Sequence, residues 1–149
     1  MILGEHISEV QGWSMIRIVL AVVAGFVTWI FEWSGLEKIL SAIWPEWYGT
    51  HQLAFEAALL IGSPFTPDST ILLIHILCAS IASWISGFLA ARIAGESKRA
   101  PQILSFLLLA LGLAKMAMSW PLVPIWYHLA FTAVLTPMTI LGAKLQRRP

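Results

Sequence analysis

The sequence predicts an all-α integral membrane protein: a four-helix bundle with an external loop that carries short interfacial helices. Composition is the first observation, because 58% of the 149 residues are hydrophobic and only 11% are charged, against roughly 25% charged in an ordinary soluble domain. A water-soluble globule of this composition would lack the polar residues to cover its surface. The second observation is four long apolar runs, each close to the roughly 20 residues that cross a bilayer as a helix. We expect one domain over residues 1–149.

The four predicted spans are separated by residues that begin or end helices. Proline lacks a backbone N–H, and glycine readily adopts the left-handed conformation found at helix ends. Pro101 precedes the third span and Pro124 the fourth, while Gly95 is placed to end the second. Thr66 is predicted to cap the second span, with Pro67 at its first position. The predicted spans are 15–33, 69–91, 102–119 and 125–143.

The only sizeable loop runs over residues 34–67 and contains two short amphipathic segments. The segments "LEKILSAIW" and "HQLAFEAALLIG" are apolar on one face only and are too short or too charged to span a bilayer. We expect both to be interfacial helices, broken at Pro45 and ended near Gly62. Together they would form a lid over the outer face of the bundle.

The distribution of basic residues predicts a cell-membrane protein with both termini in the cytoplasm, because cytoplasmic loops carry an excess of Lys and Arg. Seven basic residues would lie on the inner side: Arg17, Arg92, Lys98, Arg99, Lys144, Arg147 and Arg148. Only Lys38 and Lys115 would lie on the outer side. Tryptophans favour membrane interfaces, and an outer belt is predicted from Trp33, Trp44, Trp47, Trp120 and Trp126.

Small residues recur at helical spacing within the spans and predict close packing between helices. In lipid, such residues let helix backbones approach one another. The second span carries them every four residues, below His75. The residues predicted to form these packing seams are Gly25, Ala79, Ser83, Gly87 and Ala91.

Four ionisable residues are predicted to share one layer near the outer end of the bundle. His75, Lys115 and His128 each lie about four to six residues inside their spans, which is roughly 6 to 9 Å at a helical rise of 1.5 Å per residue. Glu32 lies at the boundary of the first span. Ionisable groups inside a membrane are costly unless paired and by default mark a functional site. We therefore predict a polar binding pocket lined by these four side chains and roofed by residues 44–62.

Structural roles are the alternative for each of these residues. Lys115 has a stem long enough to carry its ammonium group to the interface, and Glu32 is placed where a simple boundary residue would be. His75 and His128 would also serve as hydrogen-bonding residues between helices. The single cysteine, Cys78, excludes a multi-cysteine metal site, and no metal site is predicted.

Three functions remain open from the sequence. The first is a non-enzymatic accessory protein or subunit of a membrane complex, and it is supported by the small size and the seams. The second is a carrier or channel for protons or a small solute, which uses the outward-facing pocket. The third is a redox protein in which His75 and His128 bind haem b or a quinone. No sequence motif indicates an enzyme, and a net charge of +1 gives no reason to expect nucleic acid as a partner. The expected partners are the lipid bilayer, other membrane subunits or further copies of the chain.

Overall fold

The structure is a computed structural model that describes the backbone of residues 2–146 and the side chains of residues 14–146. This part of the chain contains five α-helices and one π-helical turn and no β-strand. The elements are α1 (Ile2–Ile43), the π-helical turn (Pro45–Gly49), α2 (Thr50–Ile61), α3 (Ser69–Ala94), α4 (Arg99–Ser119) and α5 (Ile125–Lys144). Residues 14–43 of α1, together with α3, α4 and α5, are long and apolar enough to cross a membrane. The predicted fold class is confirmed, and Arg147 and Arg148 lie outside the described residues.

The ends of the helices follow the chemistry of their capping residues. Gly62 ends α2 and Gly95 ends α3, each in the left-handed conformation with φ of 69° and 71°, so both predicted stops are confirmed. The predicted cap at Thr66 is wrong, because Asp68 caps α3 instead. Its carboxylate accepts hydrogen bonds from the backbone N–H groups of Thr70 (2.7 Å) and Ile71 (3.3 Å), which have no partner within the first helical turn.

The first span extends ten residues beyond its predicted end. α1 continues without a break to Ile43, and the chain changes direction only at Trp44 and Pro45. The intervening sequence contains only Gly35 as a weak helix former, and continuing the helix keeps its backbone groups hydrogen-bonded. The separate interfacial helix predicted over "LEKILSAIW" is therefore wrong, since this segment completes α1. The second predicted loop helix is confirmed as α2.

The four long helices form a bundle in which α1 and α5 stand on opposite sides. Both of them pack against α3 and against α4. α1 and α3 are antiparallel, because Gly25 approaches Ala90 near one end while Trp33 meets His75 near the other. α2 lies across the end of the bundle where α1 ends and α3 begins. We call this the α2 end.

Small residues line the contacts between helices, beside buried large side chains such as Leu104 and Phe131, and many other large apolar side chains face outward. Ala79, Ser83 and Ala91 are fully buried, and Gly25 and Gly87 are also buried. α3 and α5 make the closest approach, because a Cβ atom added at Gly87 would meet the backbone carbonyl of Thr139 on α5. The predicted packing residues thus lie between helices of the same chain. Their burial leaves an apolar exterior that suits contact with lipid.

The predicted tryptophan belt needs one correction. Trp44, Trp47, Trp120 and Trp126 are between 37% and 51% exposed, as an interfacial position requires. Trp33 is only 6% exposed and packs in the core, stacked on Trp29 with ring centroids 5.7 Å apart. Because α1 is longer than predicted, Trp33 lies within the bundle rather than at its boundary.

Candidate functional site

A pocket opens at the α2 end of the bundle between α1, α3, α4 and α5, with α2 above it. The space open to water-sized atoms is about 90 Å³. Most of the lining is apolar and includes Trp33, Phe55, Leu72, Met116 and Phe131. The polar side chains of the lining are Glu37, His51, Gln52, His75, Lys115, Ser119, Tyr127, His128 and Thr132.

Three of the four predicted site residues line this pocket. His75 comes from α3, Lys115 from α4 and His128 from α5, so the fold brings together residues that are far apart in the sequence. Glu32 does not line it. Its carboxylate lies on the side of α1 that faces Ser86, and its Oε2 atom is buried there.

Glu37 is the acidic residue that α1 contributes to the pocket. The prediction chose Glu32 because it placed the end of the first span at residue 33. The continuous helix puts the α2 end at Ile43, and five residues further along the helix amount to about 7.5 Å. Glu37 is therefore at the level of the pocket.

One face of α2 forms the roof. His51, Gln52, Phe55 and Leu59 all line the pocket, at helical spacing that places them on the same side. The Gln52 amide donates to Oε1 of Glu37 over 3.2 Å, and this bond ties the roof to α1.

A second set of bonds ties the roof to the start of α3. His51 Nε2 accepts a hydrogen bond from the backbone N–H of Asp68 over 3.1 Å. The Trp47 indole donates to Asp68 Oδ2 over 2.9 Å. Because Asp68 also caps α3, one residue anchors both the roof and the helix beneath it.

His75 forms the buried wall and is held between two tyrosines. Its Nε2 lies 2.8 Å from the Tyr48 hydroxyl, and its Nδ1 lies 3.5 Å from the Tyr127 hydroxyl. Tyr48 is fully buried and His75 is 7% exposed. A neutral imidazole offers one donor and one acceptor, and the two hydroxyls can supply the matching acceptor and donor. Burial away from water raises the pKa of Tyr48, which lies in the π-helical turn outside the membrane spans.

Lys115 directs its charge into the bundle. The residue as a whole is exposed, but its Nζ atom lies 4.8 Å from the centroid of the Trp33 ring, in a cation–π contact. The Glu37 charge acts on the ammonium group. Among the residues that the structure describes, no oxygen pairs with Nζ in a salt bridge or hydrogen bond. The head group thus lies against an aromatic ring.

His128 is held in place by stacking. It is 3% exposed, and its ring lies almost parallel to that of Trp120, with an angle of 9° and 5.4 Å between centroids. Its Nε2 atom is buried and has no hydrogen-bond partner within the described part of the chain. A buried polar atom without a partner costs about 1–3 kcal/mol. A bound ligand that supplied the missing hydrogen bond would remove this cost.

The sequence contained a usable signal for the residues that prediction missed. His51, Gln52 and Leu59 lie on one face of a segment that was already predicted to be a lid helix. Glu37 and Tyr48 gave no such signal, because their positions depend on where α1 ends and where the π-helical turn begins. Residues 14–146 contain no group of three His, Cys, Asp or Glu side chains arranged to hold a metal ion.

We expect acid to loosen the roof through His51. Burial lowers the pKa of His51, and the Gln52 side chain and the Asp68 charge only partly offset this effect. The folded state therefore favours neutral His51, so this stabilisation is complete above the unfolded pKa of about 6.5 and is lost as the pH falls below it. Protonation would also remove the acceptor for the Asp68 N–H. Hydrogen bonds from Trp47 and from the Thr70 backbone lower the pKa of Asp68, which stays ionised in this range.

The measurement is amide hydrogen exchange of α2 at about pH 7.5 and about pH 5.5, expressed as protection relative to the unstructured rate. Protection in α2 should fall at the lower pH. The His51→Gln variant, which retains an acceptor but does not titrate, should show little change. An equal loss of protection in both proteins would contradict the role of His51.

Models of known protein families, curated proteins and solved structures were compared with this chain, and none of the three comparisons found a match.

Proposed function

We propose that this chain is a non-enzymatic membrane protein that binds a small molecule in the pocket at the α2 end. The observation that carries the proposal is a set of nitrogen atoms in the pocket lining that make no hydrogen bond or salt bridge. They are the Lys115 ammonium, His51 Nδ1 and His128 Nε2. Convergent polar groups in a mainly apolar pocket are typical of ligand sites.

A role as an accessory protein or subunit is the second candidate. The sequence supported it through seams of small residues, which would pack on partner helices. Those residues are buried between helices of the chain itself: Ala79, Ser83 and Ala91 have no exposed surface. A partner subunit would have to bind the large apolar side chains of the exterior. Binding of a small molecule therefore has the more specific support.

A carrier would need the pocket to open to each side of the membrane in turn. The polar residues of the lining cluster at the α2 end, and transport usually relies on related halves or on an oligomer to alternate access. We therefore propose binding at one side, with transport as an extension that requires several copies of the chain.

A redox role through haem is less well supported. Both ring nitrogens of His75 lie near tyrosine hydroxyls, so ligation of iron would require one of those contacts to break. The pocket of about 90 Å³ is also far smaller than the roughly 300–1,000 Å³ typical of sites for drug-sized ligands. A quinone ring would have to displace the roof.

We propose that the α2 end faces the outside of the cell, with the termini in the cytoplasm, on the strength of the basic residues. Labelling with a membrane-impermeant thiol reagent tests access and side together, in a Cys78→Ser background. Lys115→Cys should react when the reagent is added to intact cells. Ser105→Cys, on the same helix but 1% exposed within the bundle, is the matched control and should not react.

Two results would contradict the proposal. If Lys115→Cys reacts only after the cytoplasmic side is made accessible, the orientation is reversed. If it reacts from neither side in a folded protein, the pocket is closed to ligands that come from water, and the role as a subunit gains support.

A further inference from the structure

The pocket lining holds more N–H donors than protein oxygens that could accept hydrogen bonds from them. Lys115 carries three ammonium N–H groups, and its Nζ atom lies over the ring of Trp33 and interacts with the Glu37 charge. His51 Nε2 accepts from the Asp68 N–H, so the proton of the neutral ring resides on Nδ1. That Nδ1 is buried and makes no hydrogen bond of standard geometry, although the Gln52 side chain lies beside it. Among the described residues, the lining therefore holds four such N–H donors, three on Lys115 and one on His51, against one buried oxygen without a hydrogen bond, Oε1 of Gln52.

His128 is the second, independent observation. His128 is only 3% exposed and lines the pocket. Its Nε2 atom has no hydrogen-bond partner within residues 14–146. The stack on Trp120 fixes the plane of its ring. A buried imidazole that is fixed in orientation and lacks a partner is typical of a group that meets a ligand.

We propose that the pocket binds a small monocarboxylate, with the carboxylate beside the Lys115 ammonium and the His51 N–H. This inference rests on the proposed binding function and specifies the chemistry of its ligand. A carboxylate has two oxygens with about four lone-pair sites and no donor, which matches the excess of donors. Charge-assisted hydrogen bonds from an ammonium group to a carboxylate are roughly twice as strong as neutral ones.

The remaining walls suit a short apolar tail. Phe55, Met116 and Phe131 contribute apolar surface to the lining. The space is small, about 90 Å³. A carboxylate with a few carbon atoms fills that space. A longer tail would have to leave through the mouth, past the exposed Met118.

Glu37 provides a test of the sign of the ligand charge. It is the acidic residue of the lining, and its charge acts on Lys115. A bound carboxylate would be repelled by Glu37, whereas a bound cation would be attracted. Glu37→Gln removes the charge and retains an oxygen to accept from Gln52. For a carboxylate ligand, this variant should bind more tightly than the wild type.

The experiment measures binding of butyrate to the purified full-length protein in nanodiscs by calorimetry, with tryptophan fluorescence as a second signal because Trp33 lines the pocket. Butyramide is the neutral probe of similar shape, and decanoate is the probe for a fatty acid from the membrane. Lys115→Met should weaken butyrate binding at least about tenfold, and Glu37→Gln should strengthen it severalfold, as expected for single charges at partly screened distances. Lys38→Met removes an exposed lysine of α1 that does not line the pocket, and should leave binding unchanged.

The outcomes separate this inference from the proposed function. Tighter binding of butyramide than of butyrate would overturn the carboxylate and leave a pocket for neutral ligands. Weaker butyrate binding by Glu37→Gln would also overturn it, because Glu37 should repel a bound carboxylate. If Lys115→Cys is labelled from outside but the wild-type protein binds none of the probes, the inference is also overturned. If decanoate binds more tightly than butyrate, the ligand is still a carboxylate, and its source is a fatty acid of the membrane. Lys115→Arg, which keeps the charge, should retain part of the affinity and shows that losses in Lys115→Met do not come from misfolding.

Discussion

Gly87→Leu should prevent the bundle from assembling. At Gly87 even a Cβ atom would collide with the backbone of Thr139 on α5, and backbone cannot rotate away as the tip of a side chain can. α3 and α5 would have to move apart along much of their contact. Overpacking of a core typically costs 1–3 kcal/mol, and we expect about 3 kcal/mol or more here because a whole helix must shift. Thermal unfolding and size-exclusion chromatography in mild detergent measure the loss.

Gly35→Leu is the matched control. Gly35 lies on α1, and a Cβ atom added there would have no neighbour within 4 Å. The same substitution in a helix should therefore be tolerated, and it gains a little from the better helix propensity of leucine. Gly87→Ala should already be destabilising, since the clash begins at Cβ. Equal stability of the Gly87 and Gly35 variants would show that the approach of α3 to α5 is not required.

Most of the fold could be predicted because the bilayer imposes strong rules on the sequence. Length, hydrophobicity and helix-stopping residues determine where α3, α4 and α5 begin and end, and the predicted bounds agree with the observed helices within three residues. The end of α1 could not be predicted in this way. Its last ten residues include charges that lower hydropathy, but they pack at the α2 end beside the pocket, so they remain helical.

The site was partly predictable for the same reason. Helical spacing and depth place His75, Lys115 and His128 at one level, whatever their detailed contacts. The pairing of acidic and basic residues depends on how each helix is rotated and where it ends. That is why Glu37 replaces Glu32, and why Tyr48, from a π-helical turn with no clear sequence signal, was missed as the partner of His75.

The contact between His75 and Tyr48 should be worth more to stability than any other hydrogen bond of the pocket. The two atoms are 2.8 Å apart and both residues are buried. His75→Phe would leave the Tyr48 hydroxyl without a partner, and Tyr48→Phe would leave His75 Nε2 without one. Each orphaned group costs about 1–3 kcal/mol, and the lost ring contacts with Trp33 add to the effect of the histidine variant. We expect each single substitution to lower the free energy of unfolding by about 2 kcal/mol or more.

A double-mutant cycle separates the hydrogen bond from general packing. In His75→Phe/Tyr48→Phe both polar groups are gone and two rings of similar shape remain, a replacement that is often nearly neutral. The double variant should therefore be destabilised by less than the sum of the single variants, with a coupling of at least about 1 kcal/mol. Tyr127→Phe is the matched control, because its hydroxyl lies 3.5 Å from the other ring nitrogen and borders the pocket, where water can replace the contact. Additive losses in the cycle would mean that His75 and Tyr48 stabilise the α2 end only as packed rings, and that the buried wall of the pocket has no need of a histidine.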